Sequence, residues 1–157
     1  MPDKTRVLFV CLGNICRSPL AEGLFLHHLQ TANLLDAYDA DSAGTGAWHV
    51  GNPPDPRSIA VAAVNGVDIT QQRAQQVEDV HFSEFDYLVG MDHSNVARLK
   101  RLAPAGSVAT VRMLFEHSGQ DVPDPYFGEN DGFQRVFDMV FKGTKDLLDE
   151  LESKRKR

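Results

Sequence analysis

The chain of 157 residues carries only two cysteines and one tryptophan. Cys11 and Cys16 both fall in one short segment, so they cannot form the framework of a disulfide-stapled secreted fold. A reducing, cytoplasmic setting is the default expectation. No Cys or His pair at ligand spacing accompanies them, and a zinc site is therefore not expected. Long hydrophobic runs are missing too: nothing approaches the roughly 18 apolar residues that span a bilayer. The start, MPDKTRVLFVCLG, has a short apolar run leading into a polar loop, which reads as a first strand rather than a signal peptide. Positive charge is scarce, with 16 Lys and Arg against 22 Asp and Glu and a net charge of -6. Nucleic-acid backbones demand a basic face, so no nucleic-acid partner is expected. A small anion gripped by local donors stays open.

Repeats and low-complexity linkers are absent as well, and residues 1–157 read as one domain. A chain of this length buries about 68–70% of its unfolded surface and stands without staples. Apolar runs alternate with helical patterns. VLFVC (7–11) is a continuous β-branched and aromatic run, the mark of a strand buried on both faces. Ser18-Pro19 then offers an N-cap and a first helical residue for a helix over about 18–32. Further strands are expected near 37–42, 86–91 and 108–113, and further helices near 57–65, stopped by Gly66, and 94–102. A long loop, 116–131, precedes a last helix with apolar residues at helical spacing from Phe133 to Leu151 and a solvated KRKR end. This alternation implies βαβ units and a mostly parallel sheet. Ligands in such sheets bind beyond the carboxyl ends of the strands, where the first loop lies.

That loop, CLGNICRS, has two readings. Cys11 could be a small buried hydrophobe, or the reactive floor of an anion cradle. Gly13 and Asn14 tolerate left-handed backbone, which turns successive N–H groups inward as a nest. The helix start adds a positive dipole end, and Arg17 adds a planar fork that grips two phosphate oxygens. The same fields favour Cys11 as a thiolate, and Ser18 beside it can donate to the sulfur. A buried strand, Gly-Asn, and Ser-Pro opening a helix coincide too specifically for a packing cysteine. Late in the chain VPDPYFG (122–128) supplies a carboxyl, Asp124. Asp-Pro alone is usually a turn, but its place after the fourth strand favours a leaving-group acid. A binding module with an inert loop would need neither Cys11 nor Asp124. Cys16 is near enough in sequence to trap oxidised Cys11 as a disulfide, a regulatory overlay.

Together these segments resemble the low-molecular-weight protein tyrosine phosphatases over nearly the whole chain. CLGNICRSP, DSAGTGAWHVG (41–51) and DPYFG (124–128) stand in that family's order and approximate spacing. The resemblance implies a three-layer α/β/α fold with a four-stranded parallel sheet, flavodoxin-like or Rossmann-like, and no metal or cofactor. It implies hydrolysis of phosphotyrosine in protein substrates through a cysteinyl-phosphate, with a monomer as the default. Carried over residue by residue, Cys11 is the nucleophile, Arg17 the phosphate clamp, and Asp124 the acid and later base. Leu12, Gly13, Asn14, Ile15 and Cys16 form the phosphate-binding loop, whose conformation Asn14 holds while Ser18 bonds the sulfur. Trp48, His49 and Tyr126 wall the slot for the aromatic ring. Thioredoxin-linked arsenate reductases share the loop but need later cysteines, which this chain lacks. Relatives acting on phosphoarginine carry threonine where Ile15 stands, so Ile15 favours tyrosine. Others have two tyrosines after Asp-Pro; here the second is Phe127. Many relatives also have a histidine near 70–77 that supports the loop asparagine. Here the run is TQQRAQQV, and Gln72 is expected to donate the equivalent hydrogen bond.

Overall fold

The structure, a computed structural model, describes residues 3–128 and 131–156. Four strands form one parallel sheet: β1 (Thr5–Cys11), β2 (Tyr38–Gly44), β3 (Tyr87–Gly90) and β4 (Thr110–Met113), in the order β2-β1-β3-β4. Helices α1 (Arg17–Thr31), α2 (Pro56–Val64), α3 (His81–Glu84), α4 (His93–Leu102) and α5 (Asp131–Arg155) alternate with them or follow.

The central strand shows why its sequence is apolar throughout. Side chains alternate between faces of a strand. Val7, Phe9 and Cys11 pack with the helices α1 and α5, while Leu8 and Val10 pack with Phe82, Leu88 and Leu99 on the α4 side. Val7, Leu8, Phe9 and Val10 are wholly buried, each contributing about 1.5–3 kcal/mol of apolar transfer. The result is three layers, helices covering both faces of the sheet, as the family resemblance implied.

Topology then places the site. β1 pairs with β2 from Thr5↔Tyr38 to Cys11↔Gly44 on one side, and with β3 from Val7↔Tyr87 to Val10↔Gly90 on the other. The chain therefore reverses its direction of travel across the sheet at β1, and the crevice above the carboxyl end of β1 is the switch point where such folds bind ligands. Element boundaries fall within two residues of expectation, except at the short α3, which the sequence pattern did not reveal. The basic end of α5 is exposed but not free of partners: Lys154 lies 3.4 Å from Glu150, and Arg155 Nε donates to Glu152 at 2.6 Å. Arg157 lies outside the described residues.

Candidate active site

β1 delivers Cys11 to the switch point, and residues 12–16 turn the chain into α1. Asn14 takes the left-handed conformation at φ 58. Gly13 does not; what it needs is closeness, because a Cβ there would lie 2.9 Å from His49 Cδ2. The loop's carbonyls are tied down from outside: Cys11, Leu12 and Ile15 accept from the backbone N–H of Thr45, Gly46 and Asp55 at 2.9, 2.9 and 2.7 Å. Among the described residues, the N–H groups from Gly13 to Cys16 have no such partner. Carbonyls held outward and amides left inward make an anion nest.

Ser18 corrects one expectation. Cys16, not Ser18, is the N-cap of α1, and no side chain caps that end. The Ser18 hydroxyl instead stands 3.0 Å from Cys11 Sγ. Ser18 lies within the first turn rather than before it, and with no side chain capping that end the first turn keeps its N–H groups and positive dipole end for an anion.

Behind the loop, Asn14 organises a chain of hydrogen bonds. Its Oδ1 accepts from Gln75 N at 2.9 Å, and its Nδ2 donates to Ser18 Oγ at 2.9 Å and Ser42 Oγ at 3.0 Å. Ser18 therefore has its own proton to offer Cys11, and Ser42 donates to Glu22 Oε1 at 2.7 Å. Burial, with the charge of Asp41 added, pushes the Glu22 carboxyl up to about 7 against the Ser42 hydrogen bond. Gln72 does not take the expected part. Its Nε2 donates to Pro19 O at 3.0 Å, and its Oε1 is buried without a partner among the described residues. Gln75, Ser18 and Ser42 are the supports of Asn14.

Arg17 is buried, 2% exposed. Its Nη1 donates to Asp92 Oδ2 at 2.6 Å and to Val122 O at 3.0 Å, which leaves the Nε and Nη2 edge for a ligand. Burial opposes its charge, but Cys11, Asp92 and Asp124 outweigh that and hold the guanidinium protonated. Asp92 was missed in the sequence reading. Its other oxygen accepts from Asn95 N at 2.8 Å and caps α4, so one carboxylate fixes both a helix and the clamp. The signal was present in MDHSN: an aspartate between a buried strand and a helix, at the ligand edge.

Asp124 Oδ2 lies 3.7 Å from Arg17 Nη2, and its Oδ1 accepts from Tyr126 N at 3.1 Å. Its loop is anchored by a second unforeseen pair. Asp55 caps α2 and accepts from Arg57 Nε at 3.0 Å, and Arg57 Nη2 donates to Tyr126 O at 3.1 Å. Arg57 also lies over the rings of Tyr126 and Phe133, at 5.7 and 4.4 Å.

These elements enclose a cavity of about 390 Å³. Cys11, Leu12, Gly13, Ile15, Cys16, Arg17, Trp48, His49, Asp124 and Tyr126 line it, joined by Phe127, which the sequence reading did not place there. Asn14 and Ser18 lie behind the loop as its supports. The Trp48 side chain is 70% exposed, so it is no packing residue. His49 and Tyr126 face each other at 6.0 Å between centroids. Burial, helped by the charge of Asp55, pushes the Cys16 thiol far above its ordinary range, so Cys16 stays a thiol. Among the described residues no cluster of His, Cys, Asp or Glu is arranged to hold a metal ion, and no helix is long and apolar enough to cross a membrane.

A thiol on the floor, inward amides, a fixed guanidinium and a carboxyl above define a pocket of the phosphoryl-transfer class. The comparisons with known proteins narrow the class. The sequence profile of the family described as "Low molecular weight phosphotyrosine protein phosphatase" matches residues 6–157. The fission yeast (Schizosaccharomyces pombe) low molecular weight phosphotyrosine protein phosphatase is 46% identical over 153 residues, covering 94% of this chain and 97% of that one. A protein tyrosine phosphatase from Entamoeba histolytica superposes with a TM-score of 0.90 at 33% identity, covering 97% and 99% of the two chains. A Drosophila arginine phosphatase superposes at 0.86 with 31% identity, covering 92% and 96%. The chain belongs to the low molecular weight phosphotyrosine protein phosphatase family. It is a protein-tyrosine phosphatase, an enzyme whose substrates are tyrosine-phosphorylated proteins.

Proposed function

We propose that Cys11 is the nucleophile and that the reaction runs in two steps. The thiolate attacks phosphorus in line while the amides of residues 12–16 and Arg17 hold the equatorial oxygens. Asp124 protonates the departing phenolate oxygen as the P–O bond breaks. The cysteinyl-phosphate left behind is hydrolysed by a water that Asp124 deprotonates, and inorganic phosphate leaves with Cys11 a thiolate again. Ser18 donates to the sulfur at both ends of the cycle. Phenol, with a pKa near 10, leaves more readily than an alkyl alcohol. A slot walled by Trp48, His49 and Tyr126 adds preference for the aromatic ring over the shorter phosphoserine. Ile15 gives the loop an apolar wall rather than a hydroxyl, which supports an aryl group over a guanidino group. Within this reading residues 1–157 act as one domain, a cytoplasmic monomer free of metal and cofactor.

The observation that carries the proposal is convergence: Cys11 and Arg17, from the first loop, and Asp124, from a segment more than 100 residues later, line one cavity. The test is hydrolysis of an aryl phosphate by the native protein and by Cys11→Ser. The variant is expected to lose at least about 10⁴-fold in kcat, as nucleophile removal does in covalent hydrolases. Turnover persisting in Cys11→Ser would overturn the covalent route.

A further inference from the structure

A second hollow, of about 560 Å³, lies on the other side of Leu12 and Trp48, and both residues line it as well as the slot. Its far wall is α4, which contributes Arg98 and Arg101. Residues three apart on a helix share a face, so the two guanidiniums stand together, and both side chains are exposed. Arg17, Arg57, Arg112 and Arg155 all meet carboxylates within 3.0 Å. Among the described residues, Arg98 and Arg101 meet none. A chain of net charge -6 thus keeps an unneutralised cationic pair beside its slot.

We propose that this hollow is a substrate subsite: Arg98 and Arg101 bind the carboxylate of a glutamate or aspartate one to three residues from the phosphotyrosine. The proposal rests on the slot being the phosphotyrosine site. Extended peptide advances about 3.3 Å per residue, so three residues span roughly 10 Å. With the phosphorylated ring in the slot, the peptide backbone must cross the ridge of Leu12 and Trp48. That ridge is apolar and open to solvent, Leu12 being 45% exposed. Beyond it, a carboxylate meets a guanidinium fork suited to two-point contact. The occupant is part of the same substrate molecule, because the hollow and the slot are continuous through those two shared residues.

The experiment compares two phosphotyrosine peptides that differ only in Glu or Ala at the flanking positions. The readout is the ratio of their kcat/KM values, each normalised to hydrolysis of a small aryl phosphate by the same variant. The native enzyme is expected to favour the acidic peptide about five-fold, the sum of two exposed pairs, mostly through KM, and less so at high salt. In R98Q/R101Q the ratio should fall to about one, and in R98E/R101E below one. Arg98 and Arg101 sit toward the carboxyl end of α4, where cations are favourable, so the Gln pair guards against a loss of helix stability in the Glu pair. A native ratio of one, or a ratio unchanged in both variants, overturns the subsite. Failure of the native enzyme to hydrolyse the aryl phosphate overturns instead the slot reading beneath it.

Discussion

In front of the phosphate loop, Arg17 is set between Asp92 and Asp124, one guanidinium facing two carboxyl groups beside a small cavity. Behind it, among the described residues, Glu22 meets only the Ser42 hydroxyl, in a larger cavity of about 750 Å³ that it shares with Gln72, whose Oε1 has no partner there. The two clusters are joined through Asn14, yet they are built on opposite principles. The front concentrates donors and a nucleophile where an anion is to react. The rear concentrates acceptors, and its main titratable group is pushed toward the neutral form by burial. Size alone would point to the wrong cavity; the sign of the polar groups points to the right one.

The largest way to break the front cluster short of removing Cys11 is Asp124→Ala. Loss of a general acid lowers kcat by about 10²–10⁴-fold. The loss should be steep for phosphotyrosine and slight for aryl phosphates whose leaving groups need no proton. Arg17 keeps its Asp92 partner in that variant, so KM should not rise. A uniform fall in kcat across leaving groups would reduce Asp124 to a structural part.

The rear cluster is tested by Glu22→Gln, read as stability against pH. Burial raises this carboxyl from 4.5 to about 7 in the fold. Below pH 4.5 it is neutral whether the chain is folded or not. As pH climbs through that window the unfolded chain ionises first, and the folded one must ionise a buried group. Stability is therefore lost between about pH 4.5 and 7, by on the order of 3 kcal/mol. Glutamine keeps the acceptor for Ser42 and removes the ionisation. Urea unfolding at pH 5 and pH 8 should show a larger drop for the native chain than for Glu22→Gln, and equal drops would refute the assignment.

The front cluster was largely legible in the sequence and the rear was not. Cys11, Arg17 and Ser18 lie within eight residues of one another on a strand, loop and helix whose geometry follows from local rules, and Asp124 lies at the edge where the parallel sheet puts its ligands. Asp92 and Arg57 act across the fold, and no spacing reveals which carboxylate a buried guanidinium will meet. Ser18 was misread for a related reason. Local propensity makes Ser before Pro a helix cap, but the helix starts one residue earlier at Arg17, which leaves the Ser18 hydroxyl inside the first turn, 3.0 Å from the sulfur. Gln72 was assigned to Asn14 from its position in the chain; side-chain reach decided otherwise, and the backbone of Gln75 filled the place.

Gln72→His is the mildest perturbation and bears most directly on the contrast. A histidine there has two ring nitrogens, one able to keep the bond to Pro19 O and the other able to face the rear cavity that Glu22 also lines. When protonated it removes the unpartnered acceptor and brings a cation to a carboxylate that forms no ion pair among the described residues, although Arg73 lines the same cavity. An opposite charge within about 4–6 Å lowers a carboxyl pKa by roughly one to three units. The Glu22 titration, followed by carboxyl NMR, should therefore move down from about 7 by at least about one unit. The pH-dependent loss of stability should shrink with it, while turnover changes little because the bonds of Asn14 to Ser18, Ser42 and Gln75 are untouched. If Glu22 titrates unchanged beside the new histidine, its high value is set by dehydration alone and not by the missing cation.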